Sequence, residues 1–599
     1  MARSDDLEGV ELTRQRGNEG FSDFDFPQNI GTDRRWKRLY GSVICVGVIG
    51  GLAILLSIIA LAIAAKANQG EGSRSGVKLS LGGISIPKPE PSTKNLVEKI
   101  AFGSCTSHFV GSVPIWNTGV VPSKPDAWIW LGDFVYMDSP FLSCNDPVNN
   151  SQCEECDYTF LSHPPHSCQT GDLDHALAKA QKQVEEPGYL KFLNYMCPDF
   201  RSKGVFPPYG TDPEYCPKPI LGTWDDHDSG WNDGNKRYPK KFEMKQIYLD
   251  VIGEKPSSPR RNSISGIQWK YTLNHSSKQA IDVFLLDERY NRDALPCHVR
   301  KEWCTSVLKN GTDADKFDAA WCDDFWNSGG VTGGSCCETD ELWAEWCEKA
   351  DKADVVYPIA CDPTSPSFGQ MNFRLEKEFG ILKVADQMTW NNVDQEAPFC
   401  EMLGMSQRSW LEDGLQKSDA ALTIIASGSV LFGNPDFVGD EGKCSGDDWE
   451  CYHPAQLNLI HMLERSVKGC VIVLTGDYHF SDIKVLKPGK GNKYSDRYQT
   501  EKLTKPIYQV MSSGMTTQTA KYSTEEEGCS SFREDLAGLR PGGKCSMVLD
   551  PSFGMLDIDW ESRIAKMQLR DHKNGKKVAK GYDGKLMELA IDIDTCNQV

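Results

Sequence analysis

The chain has 599 residues, a formal net charge of −19, and 39% hydrophobic residues of which aromatics make up a tenth of the whole sequence. That apolar content supports a sizeable core and excludes wholesale disorder. The acidic balance excludes nucleic-acid binding as the main role, but not an anionic substrate, because a bound cation inverts the local field.

Residues 1–40 are polar and mixed in charge, the composition of a disordered tail. Residues 41–65, "GSVICVGVIGGLAILLSIIALAIAA", carry no charge over 25 positions, more than the roughly 20 that cross a bilayer. The run is too long and begins too late for a cleaved signal peptide. Arg34, Arg35, Lys37 and Arg38 flank its N-terminal side. The positive-inside bias then predicts a cytosolic tail, a signal-anchor helix and a single-pass type II membrane protein. Residues 66–97 are rich in Gly, Ser, Pro and Lys and read as a stalk.

Of 22 cysteines, 21 follow the predicted span, without metal-finger spacing. That density predicts disulfides and an extracellular or lumenal compartment. Sequons at Asn149, Asn274 and Asn310 lie on the same side and predict a glycoprotein. Complete pairing of an odd number leaves one thiol over.

From about residue 98 to 599 the texture is that of one α/β domain. "KIAFGSC", "AWIWLGDFVY", "IDVFLLDERYNR", "ALTIIASGSVLFG" and "CVIVLTGDYHFSD" each read as a buried strand ending in polar side chains. Helical stretches intervene at "GDLDHALAKAQKQVEEPGYLKFLNYM", "SQRSWLEDGLQKSDA" and "CYHPAQLNLIHMLERSVKG". Near the end, "GMLDIDW", "IAKMQLRDHKNGKKV" and "ELAIDI" read as strands, with "HKNGK" a hairpin turn. Residues 140–170 and 297–361, rich in Cys, Trp, Asp and Gly, read as disulfide-held insertions. Strand–helix alternation places a site at the strand ends.

Those ends gather chemistry. Cys105 follows the first strand, and Asp133 and Tyr136 follow the second. "GTWDDHDSGWNDG" supplies Asp226, His227 and Asn232, and "LTGDYHFSD" supplies Asp477 and His479. Oxygen donors mixed with a thiolate suit two unlike cations, one iron-like or zinc-like and one harder. An EF-hand alignment of the acidic stretch fails, because Lys236 stands where a bidentate Glu is required.

The ordered set "FGSC", "GDFVY", "WDDHDSGWND", "LDERYNR", "SQRSWLEDGLQKSDA", "SGSVLFG", "GDYHFSD" and "SSGMT…FGMLDIDW" resembles the alkaline phosphatase D (PhoD-like) family of the metallophosphoesterase superfamily. The resemblance implies a four-layer α/β sandwich, two central mixed sheets flanked by helices, around two metal ions, iron as Fe(3+) and calcium as Ca(2+), with zinc or manganese as substitutes. By motif position it implies Cys105, Asp133 and Tyr136 on the iron. Asp133 is shared with a second metal that Asp226 and Asn232 also hold, and Asp477 and His479 close the site. It implies His227 as the catalytic histidine, and Arg289 and Arg292 facing the phosphate. An anionic thiolate and phenolate favour a trivalent ion, and removing Cys105 from the cysteine count leaves an even number for pairing. Three features depart from the family: the stalk is too short for its separate N-terminal β-sandwich domain, the cysteine-rich insertions are unusual, and Thr516 and Thr517 stand where a histidine is expected.

The reading is a membrane-anchored phosphatase that hydrolyses small phosphate monoesters or diesters by direct attack of an activated water. His227 protonates the leaving oxygen and arginines neutralise charge in the transition state. The alternative is a catalytically inactive scaffold serving adhesion or structure at the cell surface, and a diesterase acting on nucleotides or lipid head groups is a third.

Overall fold

The computed structural model describes residues 96–107, 114–138, 173–236, 238, 240–263, 265–276, 278–292, 402–433, 448–490, 494–516, 539–543 and 545–599. The expected span at 41–65, both cysteine-rich insertions, and the sequons at Asn149 and Asn310 lie outside these residues. Among the described residues no helix is long and apolar enough to cross a membrane.

In chain order the strands are β1 (Lys99–Gly103), β2 (Ala127–Leu131), β3 (Ile220–Thr223), β4 (Trp269–Leu273), β5 (Ile281–Leu285), β6 (Leu422–Ala426) and β7 (Cys470–Thr475). There follow β8 (Ser481–Leu486), β9 (Ile507–Ser512), β10 (Met547–Val548), β11 (Ser552–Asp559), β12 (Ile564–Asp571), β13 (Asn574–Val578) and β14 (Glu588–Asp592). They form two mixed sheets. One runs β13-β12-β11-β1-β2-β3 with β14 on β12, and the other β10-β8-β9-β7-β6-β5-β4. In the first, β1, β2 and β3 are parallel. In the second, β5, β6, β7 and β9 are parallel.

Side-chain alternation decides the layers. Ile100, Phe102, Ile129 and Leu131 from one sheet pack against Val283, Ile424, Ile472 and Val510 from the other. The opposite faces carry Ala101, Trp128 and Trp130 in one sheet and Ile425, Val471 and Val473 in the other. Helices α1 (Leu173–Val184), α2 (Pro187–Met196) and, beyond the short α3 (Asp226–Ser229), α4 (Lys241–Val251) cover the tryptophan face. Helices α5 (Gly404–Gln416) and α6 (His453–Ser466) cover the other. The four-layer order is therefore helix, sheet, sheet, helix, and strands apolar on both faces appear as continuous apolar runs.

Two expectations shift in detail. The helical stretch from Leu173 to Met196 is broken, because Pro187 cannot continue a helix but suits the first turn of a new one. Glu186 caps that turn, its carboxylate accepting from the Tyr189 amide at 2.6 Å. The β12–β13 hairpin turns at His572–Lys573, so Asn574 and Gly575 already belong to β13.

Disulfides join Cys197 to Cys216 and Cys470 to Cys596, the latter tying the C-terminus to β7. Asn274 acts as a clasp: its Oδ1 accepts from the Val97 amide at 2.8 Å, and its Nδ2, the atom a glycan would modify, donates to the Val97 carbonyl at 2.9 Å.

Candidate metal centre

The parallel strands of both sheets deliver their C-terminal ends to one place. Cys105 follows β1, Asp133 follows β2, Asp226 and His227 open α3 after β3, and Asp477 and His479 follow β7. The two G-D corners approach closely enough to require glycine. A Cβ on Gly132, whose φ is +84°, would lie 2.3 Å from the Asp225 Cβ, and one on Gly476 would lie 2.5 Å from the Leu131 carbonyl oxygen. Cys105, Asp133, Asp477 and His479 all have left-handed backbone, with φ of 62°, 50°, 80° and 59°. Such conformations cost about 1–3 kcal/mol each outside glycine and cluster where side chains must be aimed.

Ligand atoms of Cys105, Asp133 and His479 lie within 4.8 Å of one another, and so do those of Asp133, Asp226 and His227. Asp133 is common to both groups. Its Oδ2 is 3.5 Å from the Cys105 sulfur and 3.4 Å from the Tyr136 hydroxyl. Its Oδ1 is buried without a hydrogen-bond partner. A buried orphaned carboxylate oxygen is costly unless a cation answers it. Burial, followed by the nearby Cys105 charge, pushes the Asp133 carboxyl well above the usual carboxylate range, and a cation would reverse that. Tyr136 bridges onward, its hydroxyl 2.9 Å from His479 Nε2. Burial, with the His227 charge second, lowers the His479 pKa to about 4; a neutral imidazole is the ligand form. Cys105 is buried and is the free cysteine among the described residues. Thiol, carboxylate, phenol and imidazole together fit the unlike cations expected from the sequence.

Asp226 is held by the main chain. The amides of His227 and Asp233 donate to its two oxygens, each at 2.8 Å. Burial opposes its charge, but His227, Arg289 and these amides hold its carboxyl below the usual range. Asn232 sits half-buried in the turn that carries Asp233 over Asp226. Asp477 reaches the site through its carbonyl, 3.8 Å from the Cys105 sulfur, and its charge helps to raise the Cys105 pKa behind the dominant effect of burial.

His227 contacts Asp138, with Nδ1 2.8 and 3.0 Å from the two carboxylate oxygens. Its ring lies against Tyr136, centroids 4.1 Å apart. Burial opposes protonation of His227, but the carboxylates of Asp138, Asp226 and Asp133 outweigh it and hold the pKa well above the ordinary value.

Arg289 and Arg292 are almost wholly buried. Arg289 Nε donates to Asp225 Oδ1 at 2.5 Å and Nη2 to Ser429 Oγ at 3.0 Å. Arg292 Nη2 donates to the carbonyls of Asp233 and Gly234. Both brace the acidic stretch. Asp228 does likewise, accepting from the amides of Val135 at 2.8 Å and Asp225 at 3.1 Å. Thr516 clasps the Cys105 loop, accepting from the Ser107 amide at 2.8 Å and donating its own amide to the Cys105 carbonyl at 3.1 Å; Thr517 lies outside the described residues.

Fold and site define a class: a four-layer α/β domain whose strand ends converge acidic, thiol and imidazole side chains of the metal-ligand kind. Residues 276–563 match the family model described as PhoD-like phosphatase, so the resemblance drawn from the motifs is borne out over that segment, and the match supports a phosphoric ester hydrolase. The segment includes Arg289, Arg292, Asp477 and His479; the fold brings Cys105, Asp133, Tyr136, Asp226 and His227 to them from outside it. A solved structure described as "Structure of PhoD" is similar at 13% identity and a TM-score of 0.44, over 85% of this chain and 72% of that chain. No curated protein matches.

Proposed function

We propose that the chain is a membrane-anchored, extracytosolic, metal-dependent phosphatase that hydrolyses phosphate monoesters, diesters or both. The observation that carries this reading is the sharing of Asp133 between two convergent ligand groups, with one oxygen buried and unpartnered. Cys105, Asp133, Tyr136, Asp477 and His479 would hold the iron-like cation. Asp133, Asp226 and Asn232 would hold the harder one, calcium in the simplest assignment. Cations bound there would supply an activated water and neutralise charge on a phosphoryl group.

The protein's own groups do the remainder. Asp138 fixes Nδ1 of His227, which leaves Nε2 to give its proton to the departing alkoxide oxygen. Arg289 and Arg292 hold the loop of Asp225, Asp226 and Asn232 in register, and they add positive charge beside it. The disulfides agree with an oxidising compartment, and the uncharged run at 41–65 supplies the anchor.

The test is turnover of a chromogenic monoester and a chromogenic diester by the full-length protein and by Asp133→Asn. Hydrolysis of at least one ester by the wild type, abolished in the folded variant, supports the reading. Undiminished turnover by the variant contradicts it.

A further inference from the structure

The sulfur of Cys105 is held by the turn that follows β9, a segment with no acidic or imidazole ligand of its own. Ser513 Oγ lies 3.0 Å from the sulfur and accepts the His479 amide at 2.7 Å. Its acceptor role toward His479 directs its own proton elsewhere, and the Cys105 sulfur is the acceptor within reach. Amides further along the turn clamp the chain that carries it: Met515 N donates to the Ser104 carbonyl at 3.2 Å and Thr516 N to the Cys105 carbonyl at 3.1 Å. Ser104 Oγ, 3.3 Å from the sulfur, has the Ser512 carbonyl as an alternative acceptor at 3.0 Å.

We propose that the turn carrying Ser513 forms a hydrogen-bond cradle that fixes the position of the Cys105 sulfur and sets its donor strength toward a bound cation. The inference rests on the reading of Cys105 as a metal ligand. A sulfur that receives hydrogen bonds gives less electron density to a metal, the means by which outer groups tune thiolate centres. Ser513 is a positioning residue here. Its second bond, to the His479 amide, links the thiolate to the imidazole across the same centre, so one hydroxyl registers two ligands that stand on different sheets.

The experiment strips the full-length protein of metal, reloads it with Co(II), and records the sulfur-to-cobalt charge-transfer band. Wild type, Cys105→Ser, Ser513→Ala and Ser513→Thr are compared for band position and cobalt content. A band in the wild type that is absent from Cys105→Ser establishes the underlying ligand. The expected result is then a Ser513→Ala protein that retains its cobalt with the band moved to longer wavelength, and a Ser513→Thr protein with the band restored. A Ser513→Ala band at the wild-type wavelength overturns the cradle and leaves the ligand standing. Equal loss of cobalt from both Ser513 variants also overturns it, since the hydroxyl would then not be the operative group. Absence of a band from the wild type overturns the ligand and the cradle together.

Discussion

Nδ1 of His227 and the carboxylate of Asp138 stand 2.8 Å apart, although 89 residues separate them. The contact fixes the ring orientation and leaves Nε2 for proton transfer. Asp138→Asn keeps the shape and removes the charge. Turnover should fall by about 10–100-fold, the usual effect of losing a partner that orients a site histidine. His227→Ala should fall further, by about 10²–10⁴. Steady-state kinetics on both variants check this, and an Asp138→Asn protein as active as wild type would remove Asp138 from the account.

Arg289 and Asp225 form a buried ion pair, each side chain about 1% exposed. Arg289→Met removes the guanidinium that faces the buried Asp225 carboxylate, so the protein should lose about 3–5 kcal/mol of stability. Denaturant unfolding measures it. A variant with wild-type stability and only a raised KM would instead make Arg289 a phosphate contact without a bracing role.

Glu288 ties its strand end to two other segments, accepting from Ser427 Oγ at 2.5 Å, the Ser429 amide at 2.9 Å and Trp449 Nε1 at 3.2 Å. Burial raises its pKa from 4.5 to about 7 despite those donors. The folded protein thus holds this proton more tightly than the unfolded chain does. The cost of ionising Glu288 is absent below pH 4.5, grows as pH rises, and is complete above about 7. Stability should therefore decline across that window, and Glu288→Gln should flatten the decline. Unfolding midpoints measured across it give the slopes, and equal slopes would contradict the assignment.

Much of this architecture was legible because central parallel strands are apolar on both faces. "AWIWL" needs no partner to be recognised as buried, and its alternation of Trp128 and Trp130 against Ile129 and Leu131 matches two different layers. Strand β8 was not legible. Asp482 and Lys484 give it the look of a solvent-facing loop, yet both are fully buried, with Lys484 Nζ 3.0 Å and Arg540 Nε 2.9 Å from Asp482 Oδ2. Asp482 faces both cations in the interior, and its pairing with the distant Arg540 has no mark in the local sequence.

The site divides the same way. Ligand types at strand ends announce themselves, and Cys105, Asp133, Asp226, His227 and His479 do converge. Groups that orient them carry no such mark. Asp138 closes a motif already conspicuous for Asp133, and Ser513 is one serine among many. The resemblance places the arginines of "LDERYNR" facing phosphate, and what it does not announce is their hold on Asp225, Ser429 and the carbonyls of the acidic loop. Pairings of this kind depend on chain segments brought together by the fold, which local pattern does not encode.

The central claim is that Asp133 joins two cation sites, and elemental analysis of the full-length protein beside Asp133→Asn tests it most directly. The account predicts metal at both of the sites that share Asp133 in the wild type, iron or a substitute among it, and little retained by a variant that still folds. A folded wild-type protein that hydrolyses phosphate esters without bound metal, or a variant with full metal content, would contradict it.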